Sequence, residues 1–361
     1  MLKRYRIIDA DCHVFEPSDM WSKYLEPSFQ GYAPSKEFKV CNEDIHYKFS
    51  AQLREDALEF HKQNHPGSLV RNFDAETQVR MVKQMGIDIA FLYPTIGLWL
   101  FAIDTMPSQL AGAFVKAYNS WLRDFCSYNP QILQGVGAIN LHAPQEMVPE
   151  LHRIIDFGWR AVFLRPNPVK GRLLSDPAYE PFWSECEHLG AAVGIHEGAH
   201  SRLPTAGADR FNTRFALHAC SHVMEQMMAM LALIEGGVLE RHPHLRVGFL
   251  EAGCSWLPSW LWRLDEEYAK LAWEVEENVK MKPSDYFRRQ CFISVEPGEP
   301  GLEQVIEFLG SDDNLIFGSD YPHTDYKPDI VESAIALKDR VSEKTVQKLL
   351  WDNPVRFYSL E

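Results

Sequence analysis

The chain has 361 residues, of which 46% are hydrophobic and 24% are charged, a balance typical of globular domains. Its 10 Trp, 21 Phe and 13 Tyr residues supply enough apolar surface to exclude a disordered chain. The 36 basic and 50 acidic residues give a net charge of −14. Such a surface repels phosphate groups, so we expect neither nucleic-acid binding nor attachment to a membrane surface.

Two features of the sequence favour a cytoplasmic location. The seven cysteines are scattered and none forms a CxxC pair, as expected of a chain whose thiols stay reduced. The first residues, MLKRYR, are not followed by the apolar core of a signal peptide. No apolar run approaches the roughly 18 residues of a membrane span.

Short apolar segments alternate with amphipathic helical patterns along the whole chain. Each apolar segment is hydrophobic on both faces, which is typical of parallel strands covered by helices. The predicted strands are 6–11, 87–93, 133–140, 159–164, 191–196, 245–251, 291–295 and 314–318. The predicted helices are 75–85, 108–128, 145–157, 179–189, 216–236, 256–278, 302–309 and 328–338.

Eight such repeats predict a single domain of the α/β class over residues 1–361, a (β/α)8 TIM barrel. A doubly wound open sheet is the alternative, but no GxGxxG motif follows the first strand. Residues 18–74 form an insertion after strand 1, and residues 197–215 form a long loop after strand 5. Because both follow the carboxyl end of a strand, where barrels place their active sites, we expect them to form pocket walls.

The first predicted strand ends in a carboxylate and an imidazole, within the segment IDADCHVFEP. Side chains alternate along a strand, so Asp11 and His13 share one face while Cys12 points the other way. The pair could ligate a metal ion. Alternatively, Asp11 could cap a turn beside a hydrogen-bonded core histidine.

Three further strands end in residues able to bind a metal. His196 ends the fifth strand, Glu251 ends the sixth and Asp320 follows the eighth. A carboxylate at the end of an apolar strand costs free energy unless it is paired or binds a cation. Since a barrel brings all these strand ends to one rim, together they predict a metal centre there.

The predicted helix 216–236 carries an apolar stripe and two histidines. His218 and His222 lie one turn apart, a spacing that can bind metal, but we expect His222 to reach the pocket instead. The residues predicted to form the buried face of this helix are Met224, Met227, Met228, Leu231 and Ile234. The histidines predicted to lie on the surface are His61, His65, His242 and His244.

Several segments together resemble the amidohydrolase superfamily. They are IDADCHVFEP, GIH, HPHLRVGFLEAG, LIFGSDYPH and, near the end, LWDNPVRFY. The similarity is to amidohydrolase family 2, which includes metal-dependent hydrolases and decarboxylases of the aminocarboxymuconate-semialdehyde and resorcylate type. The resemblance implies a divalent metal at the barrel rim, held by Asp11, His13, His196 and Asp320. Two nitrogen and two carboxylate ligands suit zinc, manganese or iron(II).

The chain departs from the family pattern in three places. The first motif is Asp-x-His where His-x-His is commoner, and strand 4 ends at Arg165 with no lysine to bridge two metals. Strand 6 carries Glu251 where many members, decarboxylases among them, have a histidine. Glu251 could act as a base, orient a ligand or bridge a second metal, so we expect one or two ions per chain.

Two enzymatic functions follow from this resemblance. The leading prediction is a metal-dependent hydrolase of an amide, ester, thioester or related bond in a small molecule, with Asp320 or Glu251 taking the proton of the attacking water. The alternative is a metal-dependent non-oxidative decarboxylase, a carboxy-lyase acting on an aromatic or enol acid. The candidate proton donors and carboxylate-binding groups for this alternative are His222, His323, Arg165 and Arg202.

A barrel that binds a ligand or partner without turnover is the remaining alternative. A complete set of metal ligands argues against it, because such a site is costly to fold without its metal. By family analogy we also expect a homodimer or a higher homo-oligomer.

Overall fold

Eight parallel strands follow one another in sequence order around a barrel. The computed structural model describes residues 5–33, 51–101, 103–198, 205–324 and 327–360. Each strand pairs with the next one along the chain, from the first to the eighth. The strands are β1 Ile8–His13, β2 Ile89–Tyr93, β3 Leu133–Ala138, β4 Ala161–Leu164, β5 Ala192–His196, β6 Arg246–Leu250, β7 Cys291–Val295 and β8 Leu315–Phe317.

Helices surround this sheet, as the repeating pattern predicts. Those up to strand β5 are α1 Met20–Tyr24, α2 Ala51–Asn64, α3 Pro66–Val70, α4 Ala75–Gln84, α5 Gly97–Leu100, α6 Ser108–Cys126, α7 Pro144–Asp156 and α8 Glu180–Leu189. Those after it are α9 Arg214–Glu235, α10 Val238–Arg241, α11 Leu257–Val275, α12 Pro283–Gln290, α13 Leu302–Leu309, α14 Ile330–Ala336, α15 Glu343–Gln347 and α16 Asn353–Tyr358. Together with the strand order, these helices confirm the predicted α/β TIM barrel.

Hydrogen bonds at the seam between β1 and the segment after β8 bring the first and last strands together. The backbone N–H of Asp320 donates to the carbonyl of Asp11 at 2.9 Å, and that of His13 donates to the carbonyl of Tyr321 at 2.7 Å. Below them, both carboxylate oxygens of the buried Asp9 accept hydrogen bonds from Ser319, at 2.9 and 2.6 Å. The barrel is therefore nearly closed, and the seam carries three of the predicted site residues.

The barrel interior is filled from the amino end by the last helix, α16. The Tyr358 hydroxyl donates to the carbonyl of Ala10 in β1 at 2.7 Å. It also lies 3.1 Å from the Tyr93 hydroxyl of β2. A Cβ on Gly194 of β5 would lie only 2.4 Å from that Tyr93 hydroxyl. Glycine is therefore required in β5 to leave room for the buried tyrosine.

The apolar stripe predicted to be buried on α9 is wrong for three of its five residues: Ile234 is buried and Met227 is half-buried, but polar residues occupy much of the inward face. Met224, Met228 and Leu231 are exposed, whereas the buried residues include Ser221, His222, Glu225 and Gln226. The Gln226 amide donates to the carbonyls of Ile195 and Leu250, at 2.9 and 3.0 Å. These contacts fix α9 against the ends of β5 and β6.

Three of the four histidines predicted to lie on the surface are buried, and only His244 is exposed. His61 and His65 lie against Phe60 and Phe73 in an aromatic cluster. His242 pairs with two glutamates, Glu180 and Glu187, at 2.9 and 3.2 Å. Within the described ranges, no helix combines the length and the apolar character that crossing a bilayer requires.

Candidate metal centre and active site

The ends of β1 and β5 bring two histidines and an aspartate together inside the barrel mouth. The Asp11 Oδ1 lies 3.2 Å from the His196 Nε2 and 3.5 Å from the His13 Nε2. All three side chains are buried. Cys12, between Asp11 and His13, lies instead against Gln78 of α4. The predicted alternation of side chains at the end of β1 is therefore observed.

Two further carboxylates reach the same point from the segments after β6 and β8. The Glu251 Oε2 lies 3.1 Å from the His196 Nε2 and 3.6 Å from the His13 Nε2. The Asp320 Oδ1 lies 3.5 Å from the His13 Nε2. Both residues have left-handed backbone angles, with φ values of 50° and 56°, which are uncommon outside glycine and cluster at functional sites. The five residues predicted as metal ligands thus lie around His13 in two overlapping groups, one with Asp11 and His196 and one with Glu251 and Asp320.

The buried atoms at the centre of this cluster are those that a metal ion would use. The Asp11 Oδ1, His13 Nε2, His196 Nε2 and Glu251 Oε2 are buried without a hydrogen-bond partner. The Nδ1 atoms of the two histidines lie 2.8 and 2.6 Å from the carbonyl oxygens of Pro94 and Glu197. A carbonyl only accepts, so each Nδ1 donates, and in the neutral form of each ring the Nε2 would present a lone pair to a cation at the centre. The donor set therefore fits a divalent cation.

The electrostatics of the cluster follow from burial and from the closeness of like charges. Burial and the neighbouring Asp320 raise the pKa of Glu251 to about 8. Burial also lowers the pKa of His13 to about 3, and the nearby His323 adds to this effect. Burial opposes ionisation of Asp11, but the combined attraction of His196 and His13 outweighs burial and lowers the Asp11 pKa. Carboxylates packed this closely repel one another, and a bound cation would relieve that repulsion.

His323, predicted to bind substrate, lies at the edge of the same cluster. Its Nδ1 is 2.6 Å from the Asp320 Oδ1, and its Nε2 is 2.8 Å from the Thr95 hydroxyl. The ring stacks beside His13 with 4.0 Å between ring centroids. His323 can therefore orient Asp320 or take part in ligation together with His13, Glu251 and Asp320.

A cavity of about 570 Å³ opens from the cluster toward α9. His222, predicted as catalytic, lines this cavity, and its Nε2 lies 3.5 Å from the Glu197 Oε2 and 3.8 Å from the Glu251 Oε1. Burial lowers the pKa of His222 to about 4, against the attraction of Glu197. Asp11, Glu251 and Asp320 also line the cavity, so the metal-competent cluster and the space for a substrate are continuous.

Arg165, the other predicted substrate-binding residue, is not among the described residues that line the cavity. It is 1% exposed, and its Nη2 donates to the Glu197 Oε1 at 2.7 Å. Its Nη1 is buried and has no hydrogen-bond partner. Arg202 lies outside the described residues. No described residue of the insertion 18–74 lines this cavity.

Glu197 and Thr95 were not among the site residues predicted from the sequence. Glu197 directly follows His196, and a carboxylate next to a predicted ligand at the end of an apolar strand was a signal for a partner. Thr95 lies in the loop after β2, where Glu16 accepts hydrogen bonds from three successive backbone N–H groups, at 3.2, 3.0 and 2.9 Å. No pattern in the sequence indicates that the Thr95 hydroxyl would contact His323.

A (β/α)8 barrel with a cluster of histidines and carboxylates at the carboxyl ends of its strands is an architecture used by metal-dependent enzymes. The chain belongs to the amidohydrolase family, whose model matches residues 8–360. This match confirms the resemblance noted in the sequence.

Individual proteins are similar along most of the chain. A 2-amino-3-carboxymuconate-6-semialdehyde decarboxylase of Dictyostelium discoideum is 25% identical over 296 residues, which are 80% of this chain and 77% of the relative. An amidohydrolase of Mycobacterium avium subsp. paratuberculosis K-10 has a TM-score of 0.76 at 20% identity, covering 98% of this chain and 99% of its own.

A second solved structure has the same fold. A 5-carboxyvanillate decarboxylase of Novosphingobium aromaticivorans, complexed with manganese and 4-hydroxy-3-methoxy-5-nitrobenzoic acid, has a TM-score of 0.71 at 18% identity. The alignment covers 99% of this chain and 97% of the neighbour. At these identities the two structures establish the shared barrel only.

Proposed function

We propose that the chain is a metal-dependent non-oxidative decarboxylase of an aromatic or enol acid. The observation that carries this proposal is the similarity to a curated decarboxylase over 80% of the chain, joined to a metal-competent cluster at the end of a cavity. Hydrolysis, the leading prediction from sequence, has support only at the level of the superfamily.

The proposed roles follow from the placement of each side chain. Asp11, His13, His196 and Asp320 would hold one divalent cation, with Glu251 as a fifth ligand or a neighbouring base. Manganese, zinc and iron(II) all suit this donor set. When bound, the cation would polarise a substrate oxygen as a Lewis acid.

The remaining chemistry falls to side chains along the cavity. A proton is added to the carbon that bears the carboxylate, the bond to the carboxyl carbon breaks, and its electron pair returns to the ring as carbon dioxide leaves. His222 and Asp320 line the cavity and are the proposed proton carriers. His323 would keep Asp320 in place through its contact of 2.6 Å. Arg165 could reach a carboxylate only through its unpartnered Nη1.

The first prediction tests this function with manganese-loaded protein and a panel of hydroxybenzoates. We expect one hydroxybenzoate of the panel to be consumed, with one molecule of carbon dioxide released for each molecule of that acid. Asp320→Asn should reduce turnover by about 100-fold or more while leaving the circular dichroism spectrum unchanged. Asp329→Asn, at an exposed position before α14, is the matched control and should retain activity.

Two outcomes would contradict these assignments. If Asp320→Asn kept more than about a tenth of the activity, Asp320 would not carry the role given to it. If no acid lost carbon dioxide while esters or amides were cleaved, the hydrolase would replace the decarboxylase, with Glu251 and Asp320 as the carboxylates that serve the attacking water.

Two further properties are proposals without a direct observation. From family analogy we propose a homodimer or a higher homo-oligomer, which light scattering of the purified protein measures. We also propose a cytoplasmic location, which the free thiols of the described cysteines support.

A further inference from the structure

Glu16 is a buried carboxylate that has no part in the proposed chemistry. It lies in the loop that follows β1 and is only 4% exposed. Its Oε2 accepts hydrogen bonds from the backbone N–H groups of Thr95 and Ile96, and its Oε1 accepts one from that of Gly97. One side chain from the end of β1 therefore holds the β2 loop, residues 94–97, at the mouth of the barrel.

The β2 loop is folded tightly on itself. A Cβ on Gly97 would lie 2.5 Å from the ring of Phe101 and 2.7 Å from the Cβ of Pro94. Glycine is therefore required at this position for the close approach of the chain. The tight turn presents successive N–H groups to the carboxylate of Glu16, which can only accept.

The same loop contacts two groups of the metal-competent cluster. The Pro94 carbonyl accepts from the His13 Nδ1 at 2.8 Å. The Thr95 hydroxyl lies 2.8 Å from the His323 Nε2, and the Nδ1 of that ring lies 2.6 Å from the Asp320 Oδ1. Because Pro94 and Thr95 are neighbours in one loop, a shift of the loop would move both contacts together.

We propose that Glu16 is a positioning residue for the metal centre and acts through the β2 loop. By holding this loop, it keeps the Pro94 carbonyl against His13, so that the Nε2 of the ring faces the cation. It also keeps the Thr95 hydroxyl against His323. Glu16 is not itself among the metal-competent residues. The inference rests on the proposed function for the presence of the cation, but it is independent of the reaction that the cation serves.

The test measures the binding of manganese to chelator-treated protein by calorimetry. Glu16→Gln keeps the shape of the side chain but replaces one acceptor oxygen with an NH2 group, which cannot accept from the β2 loop. We expect manganese to bind about 10-fold more weakly. Glu16→Asp is the second variant, in case the first does not fold. It keeps the charge but withdraws the oxygens from the loop, so binding should weaken here as well.

Glu150→Gln is the matched control. Glu150 is also a buried carboxylate, on α7, and it accepts a hydrogen bond of 2.6 Å from the Asn119 side chain. This variant should lose stability in urea but bind manganese within about twofold of the unchanged chain. Unchanged affinity in the folded Glu16 variants would overturn the positioning role. An equal loss of affinity in Glu150→Gln would also overturn it, because a general loss of stability would then explain the effect.

The release of carbon dioxide separates this inference from the proposed function. Weaker manganese binding in Glu16→Gln, without any carbon dioxide released by the unchanged chain, would support the positioning role and contradict the decarboxylase. Release of carbon dioxide together with equal manganese affinity of the two proteins would support the decarboxylase and overturn the positioning role. An unchanged chain that binds no manganese would overturn both.

Discussion

At the scale of single residues, the buried pair of Arg165 and Glu197 supports the wall of the site. The two charges are 2.7 Å apart and almost fully buried. Burial raises the pKa of Glu197, but the combined attraction of Arg165, His222 and His196 outweighs burial and lowers it. The other Glu197 oxygen lies 3.3 Å from the Ser221 hydroxyl and 3.5 Å from the His222 Nε2. The pair therefore connects the end of β4 to the helix that carries His222.

The second prediction concerns the stability that depends on this pair. Glu197→Gln leaves the Arg165 guanidinium buried without a counter-charge, which should lower the free energy of unfolding by about 3 kcal/mol. Urea denaturation at pH 7 measures the change. Glu332→Gln, at an exposed position of α14, should stay within about 0.5 kcal/mol of the unchanged chain. Equal stability of the two variants would mean that the pair contributes little.

Which site residues could be predicted depends on where they lie along the chain. Asp11, His196 and Glu251 each end an apolar run, where a polar residue stands out. Because each run is a barrel strand, its carboxyl end is expected at the rim that carries the active site. Glu197 directly follows such a run and carried the same signal, although it was missed, whereas Thr95 acts through a contact between loops, which depends on backbone paths that a local pattern does not encode. Arg165 was predicted from residue type alone, and its burial against Glu197 depends on packing.

At the scale of elements, α9 combines structural and chemical roles on one face. Gln226 bridges the ends of β5 and β6, and Glu225 accepts a hydrogen bond of 2.5 Å from the backbone N–H of Ala206. Its polar residues recur with the same helical period as its methionines. A prediction that buries the apolar residues therefore places Met224, Met228 and Leu231 on the inner face. The site instead requires polar groups on the face of α9 that meets β5 and β6.

The third prediction is a pH dependence that arises in α9. Burial raises the pKa of Glu225 to about 7, and repulsion from Glu197 adds to the effect while the N–H of Ala206 and the charge of Arg165 oppose it. The folded chain thus holds this proton to a higher pH than the unfolded chain, whose carboxyl has a pKa of 4.5. Stability is lost as the pH rises from 4.5 toward 7, by about 3 kcal/mol once both forms are ionised.

Glu225→Gln removes this penalty and keeps an oxygen that can accept from Ala206. We expect a higher melting temperature at pH 8, with most of the gain absent at pH 5. Glu235→Gln, at the exposed end of the same helix, should show no such difference. A gain of equal size at both pH values would attribute the effect to packing instead of ionisation.

The strands and the eight predicted helices lie within a few residues of their predicted bounds, whereas the 14-residue helix α2, within the insertion, was not predicted. The apolar runs of the predicted elements are long and regular, so local pattern and tertiary packing favour the same structure. Short helices such as α3 and α12 were not predicted. Helices of five to eight residues are marginal in isolation and depend on the packing around them.

At the scale of the whole molecule, the metal-competent cluster joins residues 309 positions apart along the chain, from Asp11 to Asp320. These side chains meet only in the folded barrel, so a cation bound there stabilises the folded state by mass action. Without a cation, repulsion among the carboxylates of Asp11, Glu251 and Asp320 lowers the stability of the folded chain.

The fourth prediction follows from this linkage. Manganese added to chelator-treated protein should raise the melting temperature, with a gain of about 2.7 kcal/mol at 100 times the dissociation constant. Asp11→Asn should lose most of this response, and His152→Gln, far from the cluster and exposed, should retain it. An equal rise in all three proteins would mean that the ion acts elsewhere.

The contact between Tyr358 and Ala10 has a consequence for synthesis on the ribosome. The first strand leaves the ribosome long before β8 and α16, which supply part of its contacts. Until these segments are made, β1 has β2 on one side but lacks its neighbour on the other, and apolar surface exposed in this way is prone to aggregate. The reaction centre can therefore form only once Asp320, which follows β8, has been synthesised.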